Sequence, residues 1–583
     1  MTPHYTNERN IQMLIYLLKE NGIKKVIVNP GTMNMSFVAS IQSDDYFELY
    51  SCVDERSACY MACGLSVESG EPVVLTCTGA TASRNYMPGL TEAYYRKLPV
   101  LAITSSRSVG QIGQNIDQVT DRLHIPTDIA RKSVYVPVPR LSEEMWECNL
   151  KINMALIELR RHGGGPTHIN LMTTYDEDFS VKELPETRVI NYYSYGYDMP
   201  ELCGKIGVFV GAHLKWSEEF TAIVDEFCEK YNAVVLFNRT SNYKGKYGVN
   251  FFLLLQQKQG NVAEKFDKII YLGDVTSFGY GKAKEVWRVN RDGEVRDTFK
   301  NLTKVFEMEE IDFFKYYVTN TKNVEKNTSL YEKWEGTYQD VLMKAKEKGS
   351  EMPFSNAWIA LQMHDKMPLD SVIHFGILNS VRCWDYFDVD KSIDTYCNTG
   401  GYGIDGCVSS LIGASLMHPE KLYFGIVGDL AFFYDMNSLG NRHVGKNIRL
   451  LIVNNAVGSE FKNHMNLAQR AGVGEAANDY IAAAGHYGNK SKELVRHYAQ
   501  DLGFKYLTAE NKEEFYECAK VFLDEDDRNQ SIVFEVFTSD KDETEALKIM
   551  QTLETTLEGK IKNKAKQVLG RDKTRQIEAF LKR

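Results

Sequence analysis

Gly428-Asp429-Leu430 closes one apolar run, Leu422-Tyr423-Phe424-Gly425-Ile426-Val427, and Asn454-Asn455 closes another, Leu450-Leu451-Ile452-Val453. A helical stretch separates the two runs, a pattern of strand, helix and strand that belongs to a parallel sheet. Asp429 and Asn455, 26 residues apart, then stand at neighbouring carboxyl edges of that sheet, where open α/β folds bind their ligands. Their carboxylate and amide oxygens are hard donors, suited to Mg2+ or Ca2+ bridging a diphosphate. Taken singly, each is an ordinary turn after a strand, where Asp, Asn and Gly are favoured anyway. The pair at this interval, with a glycine-rich turn upstream, carries the reading.

That upstream turn is Gly400-Gly401-Tyr402-Gly403-Ile404-Asp405-Gly406. From Gly401 it fits G-x-G-x-x-G, and a helix-like run from Cys407 to Leu416 follows it. The acid Asp429 then falls about where a ribose partner is expected. An NAD-dependent Rossmann oxidoreductase is therefore a rival reading, but it leaves Asn454-Asn455 unexplained.

Working outward, three α/β blocks and a tail can be delimited: 1–185, 186–345, 350–540 and 541–583. The first block opens with an amphipathic helix carrying Ile11, Leu14, Leu17 and Leu18. Its strands are expected at Val26-Ile27-Val28, Pro72-Val73-Val74-Leu75 and Val100-Leu101-Ala102-Ile103. The middle block offers Ile206–Val210, Ala233–Phe237 and Ile269–Leu272, and the third adds Ser531–Val536. The Lys- and Glu-rich stretch Met343–Ser350 reads as the boundary before the third block. In the tail, Leu547, Met550, Leu553, Leu557 and Ile561 recur at helical spacing, and Lys560, Lys562, Lys564 and Lys566 read as a solvated face. The expected fold class is α/β, three doubly wound parallel-sheet domains.

Composition excludes several function classes. The 583 residues are 43% hydrophobic and 25% charged, which is globular rather than disordered or collagenous. With 68 Lys and Arg against 78 Asp and Glu, the net charge of −10 argues against nucleic acid as the main partner. No apolar stretch approaches the roughly 18 residues of a membrane span, and the first residues carry no signal-peptide pattern. The eleven cysteines form no C-x-x-C pair, and Cys59 and Cys63 have no further ligand at zinc spacing. Reduced thiols in a cytoplasmic protein are the expectation.

The Gly428-Asp429 to Asn454-Asn455 motif resembles the metal- and diphosphate-binding signature of the thiamine diphosphate (ThDP) enzymes. Within that superfamily the first and third blocks resemble the menaquinone-pathway carboligases, the succinyl-enolpyruvyl-hydroxycyclohexene-carboxylate synthases. Asn29-Pro30-Gly31-Thr32 stands where that family has A-P-G-S, and Asp54-Glu55-Arg56 matches D-E-R. Tyr86-Met87-Pro88-Gly89-Leu90-Thr91-Glu92-Ala93 resembles L-Y-P-A-L-I-E-A, and Gly403-Ile404-Asp405-Gly406 matches G-I-D-G. Gly428 through Asn437 resembles G-D-L-S-A-L-Y-D-L-N.

The resemblance implies the following roles. Glu55 would hydrogen-bond the pyrimidine of ThDP; alone it would read as a helix-starting acid. Asp429, Asn455 and the main-chain carbonyl of Val457 would hold Mg2+ (or Ca2+ or Mn2+). Gly428, Leu430, Asn379 and Ser380 would meet the diphosphate, while Thr32, Gly403 and Ile404 complete the cofactor site, Ile404 as its bulky support. Arg107 and Gln118 fall on active-site positions for a 2-oxo acid donor and a carbonyl or enone acceptor. No flavin is expected. A homodimer or homotetramer is implied, because the two cofactor-binding blocks of this superfamily meet across a subunit interface.

Two departures bear on substrate. The family arginines after P-G-S and before G-I-D-G are here Met33 and Thr399, with Tyr402 and Trp384 placed to line the pocket and Arg84 or Arg382 available to take over the lost charges. Simple 2-oxo acid decarboxylases carry a His-His pair after the third strand; here Ser105–Gln111 has none, although His124 or His464 stand elsewhere. That favours carboligation over simple decarboxylation. A non-catalytic ThDP-fold sensor or assembly subunit ranks lower, since Glu55, Asp429 and Asn455 are all present.

Overall fold

Apolar runs too short for helices fold as the buried strands of three parallel sheets. The structure is a computed structural model that describes residues 3–257, 265–276, 283–321, 325–463, 466–486 and 490–554. Leu557, Ile561 and the four tail lysines from Lys560 to Lys566 lie outside the described residues, as does His464.

The first sheet comprises β1 (Lys25–Val28), β2 (Glu48–Ser51), β3 (Val73–Cys77), β4 (Val100–Ser106), β5 (Lys132–Val136) and β6 (Thr167–Met172). They are ordered β2-β1-β3-β4-β6-β5, every pair parallel. β3 and β4 are buried at every position because helices cover both faces, which is why they read as unbroken apolar runs. On one face, helix Arg9–Glu20 packs Ile11, Leu14, Leu17 and Leu18 with Val26, Val74 and Leu101. On the other, helix Glu55–Ser69 packs Ala58, Cys59, Ala62 and Cys63 with Ile27, Val73 and Leu75. Small residues are needed there: a Cβ at Gly89 of helix Met87–Arg96 would lie 2.6 Å from the Cys59 side chain.

β7 (Asn191–Ser194) follows, then β8 (Ile206–Val210), β9 (Val234–Phe237), β10 (Gly248–Asn250), β11 (Phe266–Leu272), β12 (Ala283–Asn290) and β13 (Leu302–Glu307). By compactness the chain divides into two units, Met1–Met199 with Asp292–Glu307, and Pro200–Arg291 with Met308–Arg583. In the first unit β13 pairs parallel with β7. There Glu307 receives Arg161 Nε (3.0 Å) and the Tyr192 hydroxyl (2.8 Å), and its other oxygen lies 2.6 Å from His162 Nε2. In the second unit the strands run β10-β9-β8-β11-β12, all parallel.

The remaining sheet comprises β14 (Val372–Phe375), β15 (Asp394–Cys397), β16 (Tyr423–Gly428), β17 (Ile448–Asn454), β18 (Lys505–Ala509) and β19 (Ile532–Phe537). Its order is β15-β14-β16-β17-β19-β18, again wholly parallel. Counted from its own first strand, this is the order of the first sheet. In both, the winding reverses between the first and third strands, β1/β3 and β14/β16, so each sheet has a ligand-binding switch point at those carboxyl ends.

All the expected strands are present. The stretch Met343–Ser350 takes in the end of helix Ser329–Lys348, whose Ala345 is buried. Leu547 and Met550 are buried on helix Asp540–Met550. Among the described residues no helix is long and apolar enough to cross a membrane.

Candidate functional site

The register of β16 and β17 sets Gly428 opposite Val453, so Asp429 and the turn Asn454–Val457 leave the sheet side by side. The Asp429 carboxylate lies near the backbone N–H groups of Leu430 and of Ala456, the latter donating to Asn454 Oδ1 at 3.2 Å, and so faces both strand ends. It is only 6% exposed, and among the described residues no cation pairs with it. Burial pushes its pKa up to about 7. Asn455 Oδ1 accepts from Val457 N at 3.4 Å, and Asn454 Nδ2 donates to Glu535 Oε1 at 2.7 Å. Among the described residues no group of three His, Cys, Asp or Glu side chains could hold a metal. The donors gathered here are of another kind: one carboxylate, one amide and main-chain oxygens. A buried carboxylate lacking a cation, beside further oxygen donors, fits Mg2+ or Ca2+.

The end of β14 supplies the rest of this edge. Gly376 N donates to Ile426 O at 2.7 Å, and the six-residue helix Asn379–Trp384 starts just beyond, with Ser380 buried. The Asn379 amide, oriented to suit its neighbours, donates to Glu460 Oε2 at 3.0 Å and accepts from Ser459 Oγ at 3.0 Å. Arg382 is ion-paired with Glu460 and so is committed within the protein. Gly403, Gly428 and Leu430 are half-buried, and half-buried Ile404 packs against the apolar cluster of this sheet. Trp384, expected to line a pocket, is fully buried with its ring centroid 5.7 Å from that of Phe375, while Tyr402 is half-buried. Thr399 is 5% exposed.

Sequence reasoning missed Glu543, a second buried acid. It accepts from Asn356 N at 3.0 Å and from Thr538 Oγ1 at 2.8 Å. Burial pushes it up to about 7, and the charge of Asp429 adds to the push. A glutamate in an acidic helix start carries no signal that it will be buried.

In the first sheet, Glu55 is the first residue of its helix, which Asp54 caps by accepting from Ser57 N at 2.7 Å. Glu55 is half-buried, and Asn85 Nδ2 donates to its Oε2 at 3.0 Å. Asn29 joins the ends of β1 and β2, donating to Cys52 O at 2.7 Å, while its Oδ1 accepts from the Tyr86 hydroxyl at 2.6 Å. Thr32 is exposed in the turn after β1, whereas Met33 is 2% exposed. Arg107 follows β4, with Asp117 at 3.6 Å. Gln118 is exposed, at φ 57°. His124 is exposed. Arg84 Nη2 donates to the Asp121 carbonyl at 2.6 Å.

Among the described residues, four non-glycine residues hold left-handed backbone just past strand ends: Ala80 (φ 54°) after β3, Tyr175 (φ 58°) after β6, Leu378 (φ 66°) after β14 and Ala456 (φ 64°) after β17. Such strain concentrates at functional turns, and two of the four flank the Asp429 edge.

Comparison with known proteins follows the same lines. The family described as "Thiamine pyrophosphate enzyme, N-terminal TPP binding domain" matches residues 10–125. The 2-succinyl-5-enolpyruvyl-6-hydroxy-3-cyclohexene-1-carboxylate synthase of Bacteroides thetaiotaomicron is 30% identical over 574 residues, 93% of this chain and 98% of that protein. The synthase of the same name from Phocaeicola vulgatus is 29% identical over 579 residues, with 93% and 98% covered. A solved structure, the Rhodococcus jostii RHA1 thiamine diphosphate-dependent 4-hydroxybenzoylformate decarboxylase, aligns with a TM-score of 0.39 at 16% identity, covering 91% of this chain and 99% of that one.

Proposed function

The chain belongs to the thiamine diphosphate-dependent 2-succinyl-5-enolpyruvyl-6-hydroxy-3-cyclohexene-1-carboxylate synthase family, and from that membership we propose that it decarboxylates a 2-oxo acid and transfers the acyl-anion equivalent to an acceptor carbonyl or enone. When bound, ThDP supplies the electron sink for the loss of CO2. The observation that carries the reading is the buried, cation-free Asp429 carboxylate meeting the turn that carries Asn455 and Val457.

Asp429, Asn455 and the Val457 carbonyl would hold Mg2+, and Gly428, Leu430, Asn379 and Ser380 would orient the diphosphate. Glu55, steadied by Asn85, would share a proton with the cofactor's pyrimidine. Thr32, Gly403 and Ile404 complete the cofactor site. Arg107 orients a substrate carboxylate, with Gln118 beside it. In this reading 1–185 is the pyrimidine-binding domain, 186–345 a central domain, 350–540 the diphosphate-binding domain and 541–583 a tail. The active species is a homodimer or homotetramer; the apolar side chains Tyr60, Met61 and Val67, exposed at helical spacing on helix Glu55–Ser69, support a second copy there. Eleven free cysteines fit a cytoplasmic setting.

The reaction proposed is not that of the menaquinone synthase. Met33 and Thr399, both buried, offer a thioether and a neutral hydroxyl where the family resemblance has two arginines. With both positions neutral, substrates with fewer negative charges are favoured, because a buried carboxylate without a partner costs several kcal/mol.

Stabilisation by ThDP with Mg2+ in a thermal-shift assay, then CO2 release across a panel of 2-oxo acids with product mass spectrometry, tests the reading. Absence of both ends it. Turnover of 2-oxoglutarate with isochorismate at ~10⁴ M⁻¹s⁻¹ or above would restore the menaquinone reaction.

A further inference from the structure

A cation sits buried and unmatched at the switch point of the first sheet. Arg122 belongs to the irregular segment after β4, where Asp121, Leu123 and His124 are exposed while Arg122 itself is 4% exposed. Its Nη2 donates to Ser105 O, at the end of β4, at 3.0 Å. Its Nε and Nη1 are buried and meet no acceptor. Among the described residues no carboxylate lies within ion-pair distance of it. Burial first, then the nearby Arg84, pull its pKa below the ordinary arginine range.

The surroundings fix where this charge points. A Cβ built on Gly79 would lie 2.7 Å from Arg122 Nη1, 3.1 Å from Met33 Sδ and 3.1 Å from Ser105 O. Gly79 follows β3, Met33 follows β1, and Ser105 lies at the end of β4. The guanidinium therefore stands against the carboxyl ends of β1, β3 and β4, around the crevice where winding reverses, and only the missing side chain of Gly79 lets it come so close. A cavity of about 20 Å3 touches Arg122, Arg84 and His168, room for one water-sized group. Both nitrogens of His168 are engaged, at 2.8 Å by Thr104 Oγ1 and 2.8 Å by Ser133 Oγ, so the ring offers no counter-charge.

We propose that Arg122 is a substrate-carboxylate receptor, supplying from a different chain position the positive charge that Met33 does not. An unmatched guanidinium is costly to bury, and its planar fork suits a carboxylate. Of the two other arginines available for this duty, Arg382 is ion-paired with Glu460 and Arg84 is exposed, so neither is a buried charge without a counter-ion. Arg122 thus restores, beside Met33, a cationic contact of the kind that position no longer gives, and a carboxylate-bearing donor or acceptor is its ligand. This rests on the reading of the chain as a ThDP carboligase.

Two measurements test it. In the first, Mg2+-free, ThDP-free protein is titrated with 2-oxoglutarate and separately with benzoate while Tm is followed. Wild type should be stabilised by at least one of them, Arg122→Met should need at least tenfold more, and Arg122→Lys should fall between. An unresponsive wild type, whose cavity then holds water only, overturns the proposal, as does an unchanged response in Arg122→Met. If Arg122→Met does not fold, an unchanged response in Arg122→Lys overturns it instead. In the second, ThDP and Mg2+ are added and two matched pairs compared: 2-oxobutyrate with 2-oxoglutarate as donors, benzaldehyde with 4-formylbenzoate as acceptors. Arg122→Met should lower the preference for the extra carboxylate at least tenfold in one pair, through KM rather than kcat, and the affected pair says which substrate carries it. An unchanged preference in both pairs overturns the proposal. Should ThDP fail to bind even wild type, the functional reading falls, while the first titration still decides the role of Arg122.

Discussion

Among the described residues, the buried charged group without a counter-ion at the switch point of the third sheet is an acid, Asp429; at that of the first it is a base, Arg122. The strand order around them is the same, β15-β14-β16-β17 against β2-β1-β3-β4. Winding therefore chooses where a ligand goes, and the turn residues choose its charge. On the proposed reading Asp429 takes a cation and through it a diphosphate, and Arg122 takes an anion. Neighbouring turns differ in the same way: Asn379, Ser380 and Asn455 follow the strands on either side of the acid's, whereas Met33 and Gly79 lie against the base.

The largest effect should come from neutralising the acid. Asp429→Ala should weaken Mg2+-dependent ThDP binding by more than about 100-fold, since the diphosphate loses its bridge. Calorimetric titration reads this, and unchanged affinity would dissolve the contrast by removing the third sheet's ligand. Next is Glu55→Gln, which should keep ThDP binding but lower kcat by about 10²–10⁴-fold, the usual weight of a positioned acid–base group. Mixing the two inactive variants after subunit exchange should restore some activity in a homodimer, and none in a species that stays monomeric.

A third effect sharpens the contrast by pH. Asp429 and Glu543 bind protons more tightly folded, at about 7, than in the unfolded chain, near 3.8 and 4.5. Between those values these two acids hold more protons folded than unfolded, so without metal they cost the third sheet stability as pH rises from about 4 to 7, opposed in part by His374 of β14, which burial pulls from 6.5 down to about 4. His168 is pulled from 6.5 down to about 3 by burial, so between those values the unfolded chain holds the extra proton. The first sheet accordingly gains stability as pH rises through that window and loses it as pH falls. Hydrogen exchange of metal-free protein, corrected for intrinsic rates, should show protection moving in opposite directions in the two sheets by several-fold, and Asp429→Asn should flatten the third-sheet trend. Parallel trends would refute the assignment. The smallest effect is Asn85→Ala, which removes one hydrogen bond from Glu55 and should cost about 1 kcal/mol, seen as a three- to tenfold loss in kcat with KM held.

How much of this the sequence discloses depends on burial on two faces. β3, β4, β16 and β17 are covered on both sides, so their apolar runs are continuous and easily read. β2, β15 and β18 are edge strands with polar or half-exposed positions, Glu48-Leu49-Tyr50-Ser51 being exposed throughout, and no run marks them. Asp429 and Asn455 are legible because a strand end fixes where a turn residue sits. Arg122 is not, because an arginine in a polar loop looks like any solvated one until the fold turns it inward. Glu543 and Asn85 are hidden for the same reason, their roles arising from contacts to residues 187 and 30 positions away.

The pairing of β13 with β7, and the reach of Arg161 and His162 to Glu307, carries a consequence for synthesis on the ribosome. The N-terminal unit closes only with residues Asp292–Glu307, so it cannot finish as it emerges. At roughly 5–20 residues per second, β7 waits about five to twenty seconds for its partner strand, with an unpaired edge and with Glu158 the sole acceptor of the Arg161 guanidinium, among those described, yet made. The nascent chain therefore passes through an interval in which its N-terminal unit is nearly complete yet open to chaperones and to mispairing, and a fragment ending near residue 199 would be arrested there.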